Sequence, residues 1–131
     1  MKDLIKPNFT KSNLNISATL AEFLGAQNKN ATLSILKEEL NKNYKNVVFI
    51  CFDGLGIYPM QKNLDNNDFL MKNIKQTLLS TFPSTTTNAT TSLMTNQLPL
   101  EHGWFGWSLY FENIDRNIDI FLDMTPGLKK K

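Results

Sequence analysis

Apolar positions along the chain follow two rhythms, one helical and one continuous. In LNISATLAEFLG, Leu14, Ile16, Leu20, Phe23 and Leu24 cluster on one helical side, and Gly25 stands where a helix would stop. TLSILKEEL repeats the helical spacing with Leu33, Ile35, Leu36 and Leu40, and Thr32 is its expected N-cap. A polar break at 41–45 precedes VVFICF, residues 47–52. That unbroken apolar, β-branched run suits a strand buried on both faces, as in a parallel sheet. It ends at Asp53-Gly54-Leu55-Gly56.

A short helix is expected from about Asp68 in DFLMKNI, and QTLLSTF, residues 76–82, reads as a second strand closed by Pro83. The pattern from about Thr87 through Leu93 suits a helix ending near Asn96. WSLYF and IDIFL, separated by ENIDRN, then read as two strands of a hairpin. Helices interleaved with buried strands predict a layered α/β domain. With no internal repeat and no dividing linker, residues 1–131 read as one domain, with 1–44 a helical lead-in and 45–131 the part that bears the chemistry.

Composition narrows the classes of function. Hydrophobic residues make up 41% and charged residues 20%, the balance of a folded domain rather than a disordered one. The net charge of +2 argues against a nucleic-acid or anionic-membrane partner. Cys51 is the one cysteine, so no intrachain disulfide forms, and its place inside VVFICF predicts a buried, inert thiol. MKDLIKPNFT lacks the apolar core of a signal peptide, and no run reaches the length of a membrane helix. A cytoplasmic protein is the expectation.

Chemistry concentrates at the two strand ends, where open α/β sheets gather reactive groups. Asp53 directly follows six apolar residues, close to a low-dielectric core that disfavours a carboxylate unless it is paired or bound to a metal. Its competing role is to cap a helix or begin a turn. The second end is STFPSTTTNATTSL, residues 80–93. A helix starting there points unpaired N–H groups and a positive dipole end at the sheet edge, which suits a phosphate. A threonine in that turn is a poor nucleophile until a base or metal activates it, and Asp53 is the nearby group suited to gather metal.

Taken together, FICFDGLG, STFPSTTTNATTSL and PLEHGWFGWSLYF occur in an order that resembles the N-terminal part of the alkaline phosphatase superfamily. The chain looks most like the type I phosphodiesterase/nucleotide pyrophosphatase branch, over about Lys45 to Phe111. The resemblance implies the N-terminal part of a three-layer α/β/α core and two divalent metal ions, zinc by family habit. It places Asp53 as a metal ligand and Thr86 as both metal ligand and nucleophile, with Thr85 the alternative one residue away. The implied reaction is hydrolysis of a phosphoric ester or nucleotide through a phosphothreonine intermediate.

Two departures refine this expectation. Where the pyrophosphatases carry an asparagine shortly after His-Gly to hold a phosphate oxygen, this chain has Trp107, whose indole donates a single hydrogen bond. Asn88, early in the helix, is the alternative donor. The family also completes its metal site with later Asp and His ligands, whereas His102 is the one histidine here and belongs to the His-Gly motif. The expectation is therefore an N-terminal fragment carrying the nucleophile half of a site, inactive alone. His102 reads as a structural residue beside Gly103, and the aromatic cluster from Trp104 to Phe111 as packing. Asp115, Asp119 and Asp123 read as solvated or turn residues. The competing readings are another reaction of the superfamily, such as a phosphomonoesterase, phosphomutase or phosphonate hydrolase, and a non-catalytic α/β interaction module.

Overall fold

Ser12 and Asn15 open the first helix by bonding to each other. The Asn15 side-chain oxygen accepts from the Ser12 backbone N–H at 2.7 Å and from its hydroxyl at 3.1 Å. Its NH2 group donates to the Phe9 and Ala31 carbonyls, both at 2.8 Å. Asn15 is fully buried, so truncating it would strand several polar partners, each worth about 1–3 kcal/mol. In this computed structural model, which describes residues 6–120, the helix so begun is α1, Asn13–Phe23.

It stops as its sequence predicts. Gly25 takes φ +75°, the Ala26 N–H reaches back to the Ala21 carbonyl at 2.8 Å, and the Gly25 N–H bonds Glu22 at 3.0 Å. That is a Schellman ending, which needs a residue free to adopt the left-handed region. The next helix, α2, runs Ser34–Leu40 with Leu33 rather than Thr32 at its N-cap. The reason lies in α1: the Thr19 hydroxyl accepts the Leu33 N–H at 2.9 Å and donates to the Asn15 carbonyl at 2.6 Å, doing from outside what a capping side chain would do.

Two short helices follow, α3 at Ile57–Asn63 and α4 at Phe69–Lys72. Asp68 precedes α4 as expected, whereas α3 is an addition to the sequence reading. Its Pro59 falls in the first turn, where a missing N–H costs nothing. The longest later helix, α5, spans Thr86–Thr95 and ends at Asn96 in the left-handed conformation, close to its predicted bounds. A single turn, α6 at Pro99–His102, begins on a proline and ties Glu101 back to the Leu98 N–H at 2.7 Å. The chain then forms a hairpin where one is predicted: β1, Ser108–Phe111, pairs antiparallel with β2, Arg116–Asp119, across the 3-10 turn Glu112–Ile114. β2 thus begins two residues before the predicted IDIFL strand, inside the ENIDRN connection. Asp115 closes that turn in the left-handed region and accepts from the Tyr110 hydroxyl at 2.7 Å, while Asp119 accepts from Ser108. Asp123 and the end of the predicted IDIFL strand lie outside the described residues.

The described chain is thus mixed helix and sheet, with a two-stranded sheet in place of the expected larger one. VVFICF forms no regular element and joins no ladder, and its Val48, Phe49, Ile50 and Phe52 are exposed. QTLLSTF contributes one isolated parallel bridge, Leu79 to Ser12. An interior strand needs partners on both edges, and no described segment lies against 47–52 in register. Cys51 accordingly is exposed, contrary to the expectation of a buried thiol.

What core there is lies where α1 packs on α5, with Leu14, Ala18 and Leu93 buried and Leu33 and Leu40 added by the α2 side. Residues on both sides of the 44/45 division therefore share one core. Asn13 secures the arrangement. Its NH2 donates to the Ala89 carbonyl of α5 at 2.9 Å, and its oxygen accepts the Thr81 N–H at 3.0 Å. The start of α1, the segment before Pro83 and the first half of α5 are held as one unit.

Candidate active site

Asp53 and Thr86, 33 positions apart in sequence, line the same cavity of about 410 Å³. Asp53 directly follows the apolar 47–52 run, and Gly54 turns the chain away at φ +68°. A Cβ at Gly54 would meet nothing within 4 Å, so the backbone angle, not crowding, calls for glycine there. Asp53 caps no helix, since α3 takes Gly56 as its N-cap. Thr86 comes from the first residue of α5. The rest of the wall is largely apolar, including Ile16, Phe49, Phe52, Leu55, Met60 and Leu93, together with Asn13, Cys51 and Thr90. Among the described residues, Asp53 is its one carboxylate.

Neighbouring hydroxyls are separated by use. Thr85 is the N-cap of α5: its oxygen accepts the Asn88 N–H at 3.3 Å, and its hydroxyl donates to the Phe105 carbonyl at 3.2 Å. Thr87 is fully buried. Thr86, half-buried and facing the cavity, bears no side-chain hydrogen bond among the described residues. Of the three consecutive threonines it is the one with a hydroxyl free to meet a ligand. The backbone N–H groups of Thr86 and Thr87 are likewise unpaired among the described residues, and no acidic side chain in the first turn offsets the positive end of the helix.

Asn88 and Trp107 do not join this cavity. Asn88 is fully buried and its NH2 donates to the Pro83 carbonyl at 2.6 Å, so it braces the corner before α5 instead of facing a ligand. Trp107 stands at the hairpin, its carbonyl accepting the Ile120 N–H at 3.0 Å. Three buried polar atoms near α5, the Thr81 and Thr87 hydroxyls and the Asn88 oxygen, have no partner among the described residues. A buried polar atom left without any partner costs about 1–3 kcal/mol, so each of these has reason to meet water or a ligand.

His102 and Ser92 make a pair that looks, by distance, like a base and its nucleophile: the imidazole Nε2 lies 2.9 Å from the Ser92 hydroxyl. The other ring nitrogen decides against that role. Nδ1 accepts the Trp104 backbone N–H at 3.0 Å and so bears no proton. The neutral ring then carries its proton on Nε2 and donates to Ser92, so it cannot take the serine proton. Burial pushes the His102 pKa below its ordinary 6.5, with Glu101 opposing, which favours the neutral ring.

A carboxylate and a hydroxyl lining one cavity are two oxygen ligands of the kind a divalent ion takes, but a zinc site takes about four. Among the described residues no three His, Cys, Asp or Glu side chains converge. Asn13 and Cys51 were not singled out as site residues in the sequence. Asn13 carries no local signal, because its partners are 68 and 76 positions away. No helix among the described residues is long and apolar enough to cross a membrane. Comparison with protein-family models, with curated proteins and with solved structures found no match to this chain.

Proposed function

We propose that this chain carries the nucleophile half of a metal-dependent phosphoric-ester hydrolase, with Thr86 as nucleophile and Asp53 as a metal ligand. The observation that supports the reading is the shared cavity: two residues singled out from separate motifs both line it. On this reading the Thr86 hydroxyl gives its proton to solvent, and its oxygen forms a bond to phosphorus while the bond to the ester oxygen breaks. The alcohol leaves after taking up a proton from water. Water then hydrolyses the phosphothreonine to free threonine and phosphate or a phosphate monoester. The unpaired Thr86 and Thr87 N–H groups hold the phosphoryl oxygens at the positive end of α5. Bound divalent ions would supply the charge that lowers the pKa of the Thr86 hydroxyl, with Asp53 and Thr86 as this chain's contribution to holding them.

The remaining ligands come, on this reading, from outside the described residues, and the 131-residue chain is inactive alone. The segments at 47–52 and 76–82 are then strands of a three-layer α/β/α core. Their exposed apolar side chains also favour a second reading, an α/β interaction module in which the threonines only cap α5.

Turnover separates the two. In an intact, zinc-loaded form that hydrolyses phosphoric esters, Thr86→Ala abolishes activity while leaving zinc content largely unchanged, since the other ligands remain. Activity equal to wild type in that variant would sink the assignment. Comparing monoesters, diesters and phosphonates then sorts the reaction class.

A further inference from the structure

Both nitrogens of the His102 ring are engaged, in opposite senses. Nδ1 accepts from the Trp104 N–H at 3.0 Å, and Nε2 meets the hydroxyl of the fully buried Ser92 at 2.9 Å. One residue beyond Trp104, the Phe105 carbonyl accepts from Thr85, which in turn caps α5 through the Asn88 N–H. The bonds therefore form a circuit. It leaves α5 at Ser92, crosses the imidazole and the 104–105 backbone, and returns to α5 at the residue before Thr86.

We infer that His102 is a positioning residue for the Thr85–Thr86 turn and that it holds this turn only as the neutral imidazole. A second proton would sit on Nδ1, where the Trp104 N–H already points, leaving two donors face to face. The Trp104 bond must then break, and the strap that carries the Phe105 carbonyl to Thr85 loses its anchor. Little around the ring offsets this. α5 contains no ionisable residue from Thr86 to Thr95, and neither does the stretch 103–107. Glu101 is the acidic group beside the ring, and it is already paired with Lys29 from the loop between α1 and α2. The consequence for catalysis rests on the Thr86 reading above; the latch itself does not.

Amide and imidazole NMR of the 131-residue chain, taken from neutral pH to about pH 5, tests it. At neutral pH the ring is the Nε2–H tautomer. On acidification the Trp104, Phe105, Thr85 and Thr86 amides shift with the His102 titration. Exchange protection of the Trp104 amide falls roughly tenfold, as expected for one lost hydrogen bond. His102→Gln offers a carbonyl oxygen and an amide N–H without a titrating group, so in it the same amides stay still across the range. An Nδ1–H tautomer overturns the inference, as does titration of His102 with the Thr85 and Thr86 amides unmoved, or a glutamine variant that responds like wild type. If that variant does not fold, the wild-type tautomer and titration still decide. Failure here leaves the nucleophile assignment to stand or fall on Thr86→Ala.

Discussion

The Thr85 hydroxyl donates to the Phe105 carbonyl at 3.2 Å, joining residues 20 positions apart. Through this one side chain the first turn of α5 is capped and tied to the aromatic loop. Thr85→Ala removes both bonds and should destabilise the fold by about 1–2 kcal/mol, the range of a lost N-cap. Thr85→Ser should keep most of that stability. Chemical denaturation of the two variants checks the difference, and equal loss in both would show that the hydroxyl is not the cause.

Acid should weaken the fold through His102. Its folded pKa lies below the ordinary 6.5, so between those two values the unfolded chain binds the proton more readily than the folded one. Stability is then full above the ordinary value and declines as pH falls through the window beneath it. Unfolding midpoints measured across that window should drop for wild type. His102→Gln should remove this contribution and flatten the profile.

Asp53 and Thr86 should report a divalent ion together. Manganese(II) titrated into the 131-residue chain is expected to broaden the amide signals of the Asp53 turn and of the start of α5 at the same concentrations. Asp53→Asn should abolish the broadening at both places. Because Asp53 is exposed, that substitution should change stability by no more than about 0.5 kcal/mol. Broadening at one segment alone would separate the two residues.

Local signals were the legible ones. Gly25 and Asn96 marked the ends of α1 and α5 because a left-handed residue is required at each stop. The hairpin was legible because its strands are sequence neighbours. The Val47–Phe52 run was read as a buried strand from its apolarity, yet burial and pairing belong to the partners a strand finds, and none is described beside it. Cys51 was misplaced for the same reason. α3 and α6 passed unread because each carries a proline in its first turn, where that residue begins a helix rather than breaking it. At the candidate site, Asp53 and Thr86 were named from separate motifs, and both line one cavity. Asn88 was assigned to a ligand because sequence cannot show that its amide turns inward to Pro83.

The most direct test is to stop an intact, zinc-loaded enzyme that contains this chain with acid during turnover and to map the bound phosphoryl group by mass spectrometry. One phosphoryl group is expected on Thr86, absent in Thr86→Ala. A phosphoryl group on Thr85 or any other residue, or steady turnover with Thr86 never modified, would contradict the Thr86 assignment.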